Sequence, residues 1–202
     1  MTEGGTMGVG ASHPENGTTE PGAEGGGAAA FREFMGTYYT GVTVVTSIDG
    51  DGRPHGLTCN SLTSVTLVPP TLLICLGHRS GTLTAVRDSG GFAVNLLHTG
   101  GLRTAELFAS ARADRFDHVG WLSSAGTGLP WLTEDACAIA ECRVADTVSC
   151  GDHTVVFGRV TRVQAGWGNP LLYGMREFSG PADHGTGLHG GPAPGIPAPH
   201  PA

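Results

Sequence analysis

Thr58-Cys59-Asn60-Ser61-Leu62-Thr63-Ser64-Val65-Thr66, closed by Pro69-Pro70 and followed by an apolar run from Thr71 to Leu76 and then Ser80-Gly81-Thr82, decides how this chain is read. Five of the nine leading residues carry hydroxyls. The run is too polar for a core strand and too ordered for a linker. Set between two β segments, it offers hydroxyls, one amide and many backbone N–H groups. Such a segment suits a cofactor with polar ring atoms along one edge and a phosphate at its far end.

Outward from that run, the chain loses its globular character at both ends. Residues 1–30 hold Gly-Gly and Gly-Gly-Gly-Ala-Ala-Ala runs and four Glu with no Arg or Lys, and residues 179–202 are mostly Pro, Gly, His and Ala. Neither segment has enough apolar surface to offset its ordering entropy. The expected organisation is therefore 1–30 disordered, 31–178 one folded domain, and 179–202 a disordered tail. The formal charge of −7 is carried largely by those ends, leaving about −2 across 31–178, with nothing to attract nucleic acid or an anionic membrane. All 11 basic residues are Arg, so a lysine Schiff base is excluded. No apolar run approaches the ~18 residues a membrane span needs. Five cysteines without a C-x-x-C pair, and no basic start leading into an apolar stretch, point to reduced thiols and a cytoplasmic location.

Phe31, Phe34, Met35, Tyr38 and Tyr39 recur at helical spacing, predicting a short amphipathic helix ended by Gly41. Val42 to Ser47 reads as a strand, and Asp49-Gly50-Asp51-Gly52 as a hairpin turn. Ser80 is positioned to cap a helix with Leu83 and Val86 inward, stopped by Gly90-Gly91. Phe92, Val94 and Leu96 alternate as in a half-buried strand; Leu102, Ala105, Phe108 and Ala109 predict a second helix; 120–130 reads as a loop. Ala136 to Val148 and Thr154 to Gln164 are long alternating strands, and Leu171 to Tyr173 a short last one. Strands joined by hairpins, with few helices between them, imply a mainly β, antiparallel barrel rather than a doubly wound parallel sheet.

At this level the chain resembles the short-chain flavin reductases, the reductase components of two-component flavin-dependent monooxygenases. The resemblance runs through Phe31-Arg32-Glu33-Phe34-Met35-Gly36, Thr40-Gly41-Val42-Thr43-Val44-Val45-Thr46, Gly52-Arg53-Pro54-His55-Gly56, Asn60-Ser61, Thr63-Ser64-Val65 and Pro69-Pro70. It continues through Ser80-x-Thr82, Gly91-Phe92-Ala93-Val94-Asn95-Leu96-Leu97, Asp114-Arg115-Phe116, Gly151-Asp152-His153 and Pro170-Leu171-Leu172-Tyr173. It implies an antiparallel Greek-key split β-barrel (the FMN-binding split barrel) with small helical insertions. It further implies FMN or FAD as flavin, NADH or NADPH as co-substrate, a homodimer, and a partner monooxygenase reached by diffusible reduced flavin. By resemblance, Thr58, Cys59, Asn60, Ser61, Leu62, Thr63, Val65 and Thr66 surround the isoalloxazine ring. Ser80, Gly81 and Thr82 take the phosphate, a role that also follows from the free N–H groups and dipole of a helix start. His153, presented by Gly151 and Asp152, lies where nicotinamide docks, and Phe108 and Phe116 are candidate flavin contacts. Tyr38, Tyr39, Trp121 and Trp131 are candidate dimer contacts.

The same residues admit blander readings. A Thr/Ser-rich stretch is more often a solvated turn, and a lone histidine at a strand start more often structural. Cys142, Cys150 and His153 lack the paired spacing of a zinc site, so no metal is expected. Gly185-x-Gly187-x-x-Gly190 matches a dinucleotide fingerprint but has no strand before it. An alternative function keeps the fold: a protein that holds flavin tightly and acts as a small-molecule oxidase or redox-binding module.

Overall fold

The computed structural model describes residues 27–181; most of the two terminal segments, and the Gly185–Gly190 motif, lie outside the described residues. Two compact units divide the chain, Met1–Met35 and Gly36–Ala202. In the first, helix α1 (Ala28–Gly36) starts inside the segment expected to be unstructured, with the Phe31 N–H donating to Gly27 O at 3.0 Å. It stops at Gly36, not Gly41, so Tyr38 and Tyr39 lie beyond it. Glycine followed by Thr37, Tyr38, Tyr39 and Thr40, all weak helix formers, explains the earlier stop.

In the second unit, seven strands form one antiparallel sheet: β2 (Thr43–Ile48), β3 (Pro54–Cys59), β4 (Thr63–Leu67), β5 (Pro70–Gly77), β6 (Gly91–Leu97), β9 (Ala136–Cys150) and β10 (His153–Ala165). Their order is β3-β2-β6-β9-β10-β5-β4. Strands β1 (Thr40–Gly41), β11 (Leu172–Gly174) and β12 (Glu177–Ser179) make a small second sheet, and β7 (Leu122–Ser123) pairs with β8 (Pro130–Trp131). The sheet curls so that its ends meet near Ser61, whose hydroxyl accepts from Cys75 N at 2.9 Å and donates to Cys75 O at 3.3 Å. One side chain thus links the end of β3 to β5 where no ladder does. This is the split antiparallel barrel the sequence implies.

Helix α2 (Gly81–Ser89) plugs the barrel: Leu83 and Val86 join Val45, Ile74, Leu76, Phe92, Val94 and Val156 in one core. Ser80 caps it, its Oγ accepting from Thr82 N at 3.2 Å, and Gly90 ends it with φ 69°, as a left-handed C-terminal residue should. Helix α3 (Leu102–Ala109) covers the opposite face of β2 and β6 through Ala105 and Phe108, packed with Val42, Val44 and Leu97. Its inward row is Thr104, Ala105 and Phe108; Leu102 and Ala109, read as apolar-face residues, are exposed.

Three sequence readings change. Strand β6 is buried on both faces, because the 120–132 loop adds a third core of Ala93, Leu129, Trp131, Ala136 and Ile139. Asn95 sits fully buried in that strand, donating to Val44 O at 3.0 Å and accepting from Leu132 N at 2.9 Å. Trp131 is only 6% exposed, with the Arg162 guanidinium 4.6 Å above its ring, so it is a core residue and not a dimer contact. The folded unit also runs past Phe178, through β12 to Ser179, which alternation over so short a strand could not reveal. Among the described residues no helix is long and apolar enough to cross a membrane.

Candidate active site

Strand β3 pairs with β2 on one side only, so it is a sheet edge. Against this edge, the start of β10 and the end of α3 enclose a cavity of about 420 Å³. Thr58, Cys59, Asn60 and Ser61 form one wall, Phe108 and Arg115 another, with Cys75, Gly77 and His153 opposite. Six residues predicted from sequence thus meet at one place. The edge strand supplies backbone polar groups outside any ladder, as a ring with heteroatoms on its rim requires.

The hydroxyls do not all face the cavity. Thr58 Oγ1 donates to Ala105 O on α3, and Ser61 is engaged with Cys75. Cys59 Sγ lies 3.0 Å from Ser61 Oγ; since Ser61 spends its proton on Cys75 O, the thiol is the donor. Burial pushes the Cys59 thiol above its ordinary pKa, which keeps that proton in place. Among the described residues Asn60 has no side-chain hydrogen-bond partner, and it is exposed at the cavity rim. Its amide is the polar side chain of the run left to meet a ligand.

His153 is the first residue of β10, immediately after the two-residue turn Gly151-Asp152, whose Gly151 has φ 58°. Its Nδ1 lies 2.7 Å from Asp152 Oδ1. That hydrogen bond, with the imidazole charge behind it, holds the Asp152 carboxyl below its usual pKa. Because a carboxylate only accepts, Nδ1 carries a proton, which in the neutral form of an imidazole leaves Nε2 as the acceptor. Nε2 comes within 3.7 Å of the point where a Gly77 side chain would begin, so a Cβ there would rest in ordinary contact with the ring.

The other predicted residues fall elsewhere. Leu62 packs on the barrel core. Thr63, Val65 and Thr66 lie on the exposed edge strand β4, outside the cavity, because Thr63 to Leu67 pair with β5 instead of looping over the site. Gly151 and Asp152 form the turn behind His153 and do not line the cavity. Ser80, Gly81 and Thr82 open α2 just past Gly77, but Ser80 is occupied as the cap and Thr82 is buried. Phe116 stands edge-on to Phe108 at 5.0 Å and lines a second cavity of about 500 Å³. That cavity is walled by Asp49, Arg53, His55, Gly56 and Asp117 and shares Arg115 with the first. Arg115, Cys75 and His55 were missed as site residues. Arg115 lay within the Asp114-Arg115-Phe116 match, and His55 within Arg53-Pro54-His55-Gly56, but neither carried a local signal of its own.

The model of the flavin reductase like domain matches residues 35–181 of this chain. The chain belongs to the flavin reductase family. It is 56% identical over 152 residues to a flavin reductase (NADPH) of Lentzea aerocolonigenes, covering 75% of this chain and 89% of that one. To a flavin reductase (NADH) of Kitasatospora aureofaciens it is 42% identical, covering 74% and 79%. The solved NADH:FAD oxidoreductase SgcE6 of Streptomyces globisporus, in complex with NAD and FAD fragments, is similar at TM-score 0.70 and 34% identity, over 75% of this chain and 90% of that one. For a flavin reductase the geometry is apt: an edge strand for the ring rim, an oriented imidazole opposite, and a capped helix start nearby. It is an NAD(P)H-dependent reductase of flavin, with nicotinamide nucleotide and flavin as its two ligands.

Proposed function

We propose that this chain reduces a flavin with NADPH or NADH and passes the reduced flavin by diffusion to a flavin-dependent monooxygenase. The observation that carries the reading is His153, its tautomer set by Asp152, facing the edge-strand cavity of Thr58 to Ser61. Asn60 and the outer backbone groups of β3 hold the ring rim, Phe108 and Cys59 close its apolar side, and Ser80 to Thr82 with Arg115 receive the phosphate. His153 Nε2 accepts from the nicotinamide carboxamide and orients it. When bound, flavin and nicotinamide supply the hydride chemistry themselves, and the protein supplies alignment. The relatives support the partner: one is the reductase component of a 4-nitrophenol monooxygenase from Rhodococcus opacus, 39% identical.

We also propose a homodimer in the cytoplasm. Val65, Leu67, Val68 and Val163 are exposed, Leu67 and Val68 at 81% and 90%, and a second subunit would cover such apolar side chains. All described cysteines are free thiols, as a reducing compartment allows. Nicotinamide oxidation measured with FMN, FAD and riboflavin in excess tests the activity. Turnover with at least one flavin is expected; none with any flavin refutes it. Flavin retained through gel filtration with no response to nicotinamide would assign a flavin-binding module instead.

A further inference from the structure

A third cavity, of about 430 Å³, lies at the C-terminal end of α2 and shares no lining residue with the cavity of Thr58 to Ser61. Its wall holds Glu141 of β9, only 3% exposed. Glu141 Oε1 accepts from Ser124 Oγ, and from Thr127 Oγ1 at 3.0 Å. Among the described residues, Oε2 accepts no hydrogen bond. The sealed side-chain atoms without a partner are Thr40 Oγ1 and Trp131 Nε1, so Oε2 keeps an opening to the cavity. A carboxylate withdrawn from bulk water is costly unless a cation or further donors compensate it.

The nearest cations do not supply that compensation. Alternation puts Arg143 on the same face of β9 as Glu141, and the ladder sets Arg162 of β10 directly opposite Glu141. Opposite charges so placed ordinarily attract one another. Yet among the described residues Glu141 forms no ion pair with either arginine. A register shift at Thr161, whose Oγ1 donates to Glu141 O at 3.2 Å, precedes Arg162. The Arg162 guanidinium lies instead 4.6 Å above the Trp131 ring. Stacking occupies the face of a guanidinium and leaves its edge N–H groups to other partners. Arg143 and Arg162 both line the cavity, and Arg159, opposite Arg143 in the ladder, adds positive charge outside the lining. Asp88 and Asp146 are exposed and stand outside it as well. The N–H groups of Gly90 and Gly91 are already bonded, to Val86 O and Ser89 Oγ, so recognition falls to side chains. One cavity thus keeps a free carboxylate oxygen and two free guanidinium edges apart.

We infer that this cavity binds a free α-amino acid with an apolar side chain, its ammonium on Glu141 Oε2 and its carboxylate on Arg143 and Arg162. A zwitterion satisfies both signs at once. A simple anion would leave Glu141 uncompensated, and a simple amine would leave the arginines so. The volume falls in the ~300–1,000 Å³ range of ligand pockets. It exceeds what the two charged groups need, and Leu129 offers the side chain an apolar wall. The site stands apart from the flavin cavity and does not depend on the reductase reading.

Calorimetric titration of the full chain with L-phenylalanine, hydrocinnamate (the same molecule without the amine) and phenethylamine (without the carboxylate) tests this. L-phenylalanine should bind with a Kd of about 1 mM or tighter, and each truncated analogue about tenfold or more weakly. Saturating FMN should leave that Kd unchanged. Glu141→Gln, which keeps an oxygen for Ser124 and Thr127, should weaken L-phenylalanine about tenfold while hydrocinnamate is unaffected. Arg143→Met, at an exposed position, should weaken L-phenylalanine and hydrocinnamate together. Flavin affinity within about twofold of wild type shows that each variant is folded. No binding of L-phenylalanine, or hydrocinnamate binding equally well, would overturn the inference. So would displacement of the amino acid by FMN, or an unchanged L-phenylalanine Kd in a folded Glu141→Gln or Arg143→Met.

Discussion

Asp152 and His153 show how much one hydrogen bond settles at the residue scale. The Asp152 carboxylate is nearly fully exposed, yet at 2.7 Å it selects which imidazole nitrogen faces the cavity. A side chain that only orients nicotinamide acts through one or two hydrogen bonds, worth about 1–3 kcal/mol. His153→Ala is therefore expected to lower kcat/KM for NADPH and NADH by roughly 5- to 150-fold, mostly through KM, with flavin affinity within about twofold. Steady-state kinetics and flavin titration check it; a much larger fall, or loss of flavin affinity alone, would contradict a positioning role. Cys142 gives a pH test of the core. Burial, chiefly, pushes its thiol from 9.0 up to about 12. The folded state then holds a proton that the unfolded state releases, so this contribution is whole below about 9 and is lost as pH rises toward 12. The slope is at most ~1.4 kcal/mol per pH unit for one proton. Urea unfolding across that window should show Cys142→Ala, less stable at neutral pH, falling less steeply than the wild type; parallel curves would remove Cys142 as the source.

Among the elements, α2 carries two duties at its first turn. Ser80 accepts from Thr82 N as the cap, and the same turn is the proposed phosphate seat. Ser80→Ala removes a cap worth about 0.5–2 kcal/mol, whereas glycine at that position loses only a few tenths. Ser80→Gly is thus the cleaner probe: thermal stability nearly kept, and affinity for phosphorylated flavins down severalfold with riboflavin unchanged. Equal losses for FMN and riboflavin would move the phosphate away from α2. In β10, Gly158 lies beside a register shift, and a methyl there would come within 2.4 Å of the Phe92 ring and 2.8 Å of Cys142 Cβ. Gly158→Ala should destabilise by about 1–3 kcal/mol through overpacking, read as a lower urea midpoint with little change in flavin affinity. A neutral effect would show that Phe92 can shift.

At the scale of the whole molecule, the open question is what covers the exposed apolar residues of β4 and β10. If a second copy does, light scattering gives twice the chain mass, and Leu67→Asp with Val68→Asp yields a monomer with weakened turnover. A fully active wild-type monomer at micromolar concentration would refute the dimer. Trimming the chain to residues 27–181 should leave both mass ratio and turnover unchanged, since the composition of the removed segments gives a core nothing to pack against. Loss of folding on trimming would show that one end docks.

Much was legible because it is local. The Ser80 cap, the Gly90 stop and the alternation of β9 and β10 depend on a few neighbouring residues, and the ordered matches along the chain carried the family. Of the polar run, Thr58 to Ser61 line the cavity. Beyond Ser61 the sequence could not say whether Thr63 to Thr66 loop over the cavity or pair as a strand, because hydroxyl residues serve both; pairing with β5 across the Val68-Pro69 turn decided it. Only the tertiary structure showed that Thr58 and Ser61 spend their hydroxyls on Ala105 and Cys75. The two-sided burial of β6 and the junction at Arg115 were equally hidden. Each joins residues far apart in sequence: Asn95 holds Leu132, and Arg115 meets β3 across α3. Propensity and spacing report what a segment prefers within a few residues, whereas a cavity wall is set by which distant segments the curled sheet brings against one another.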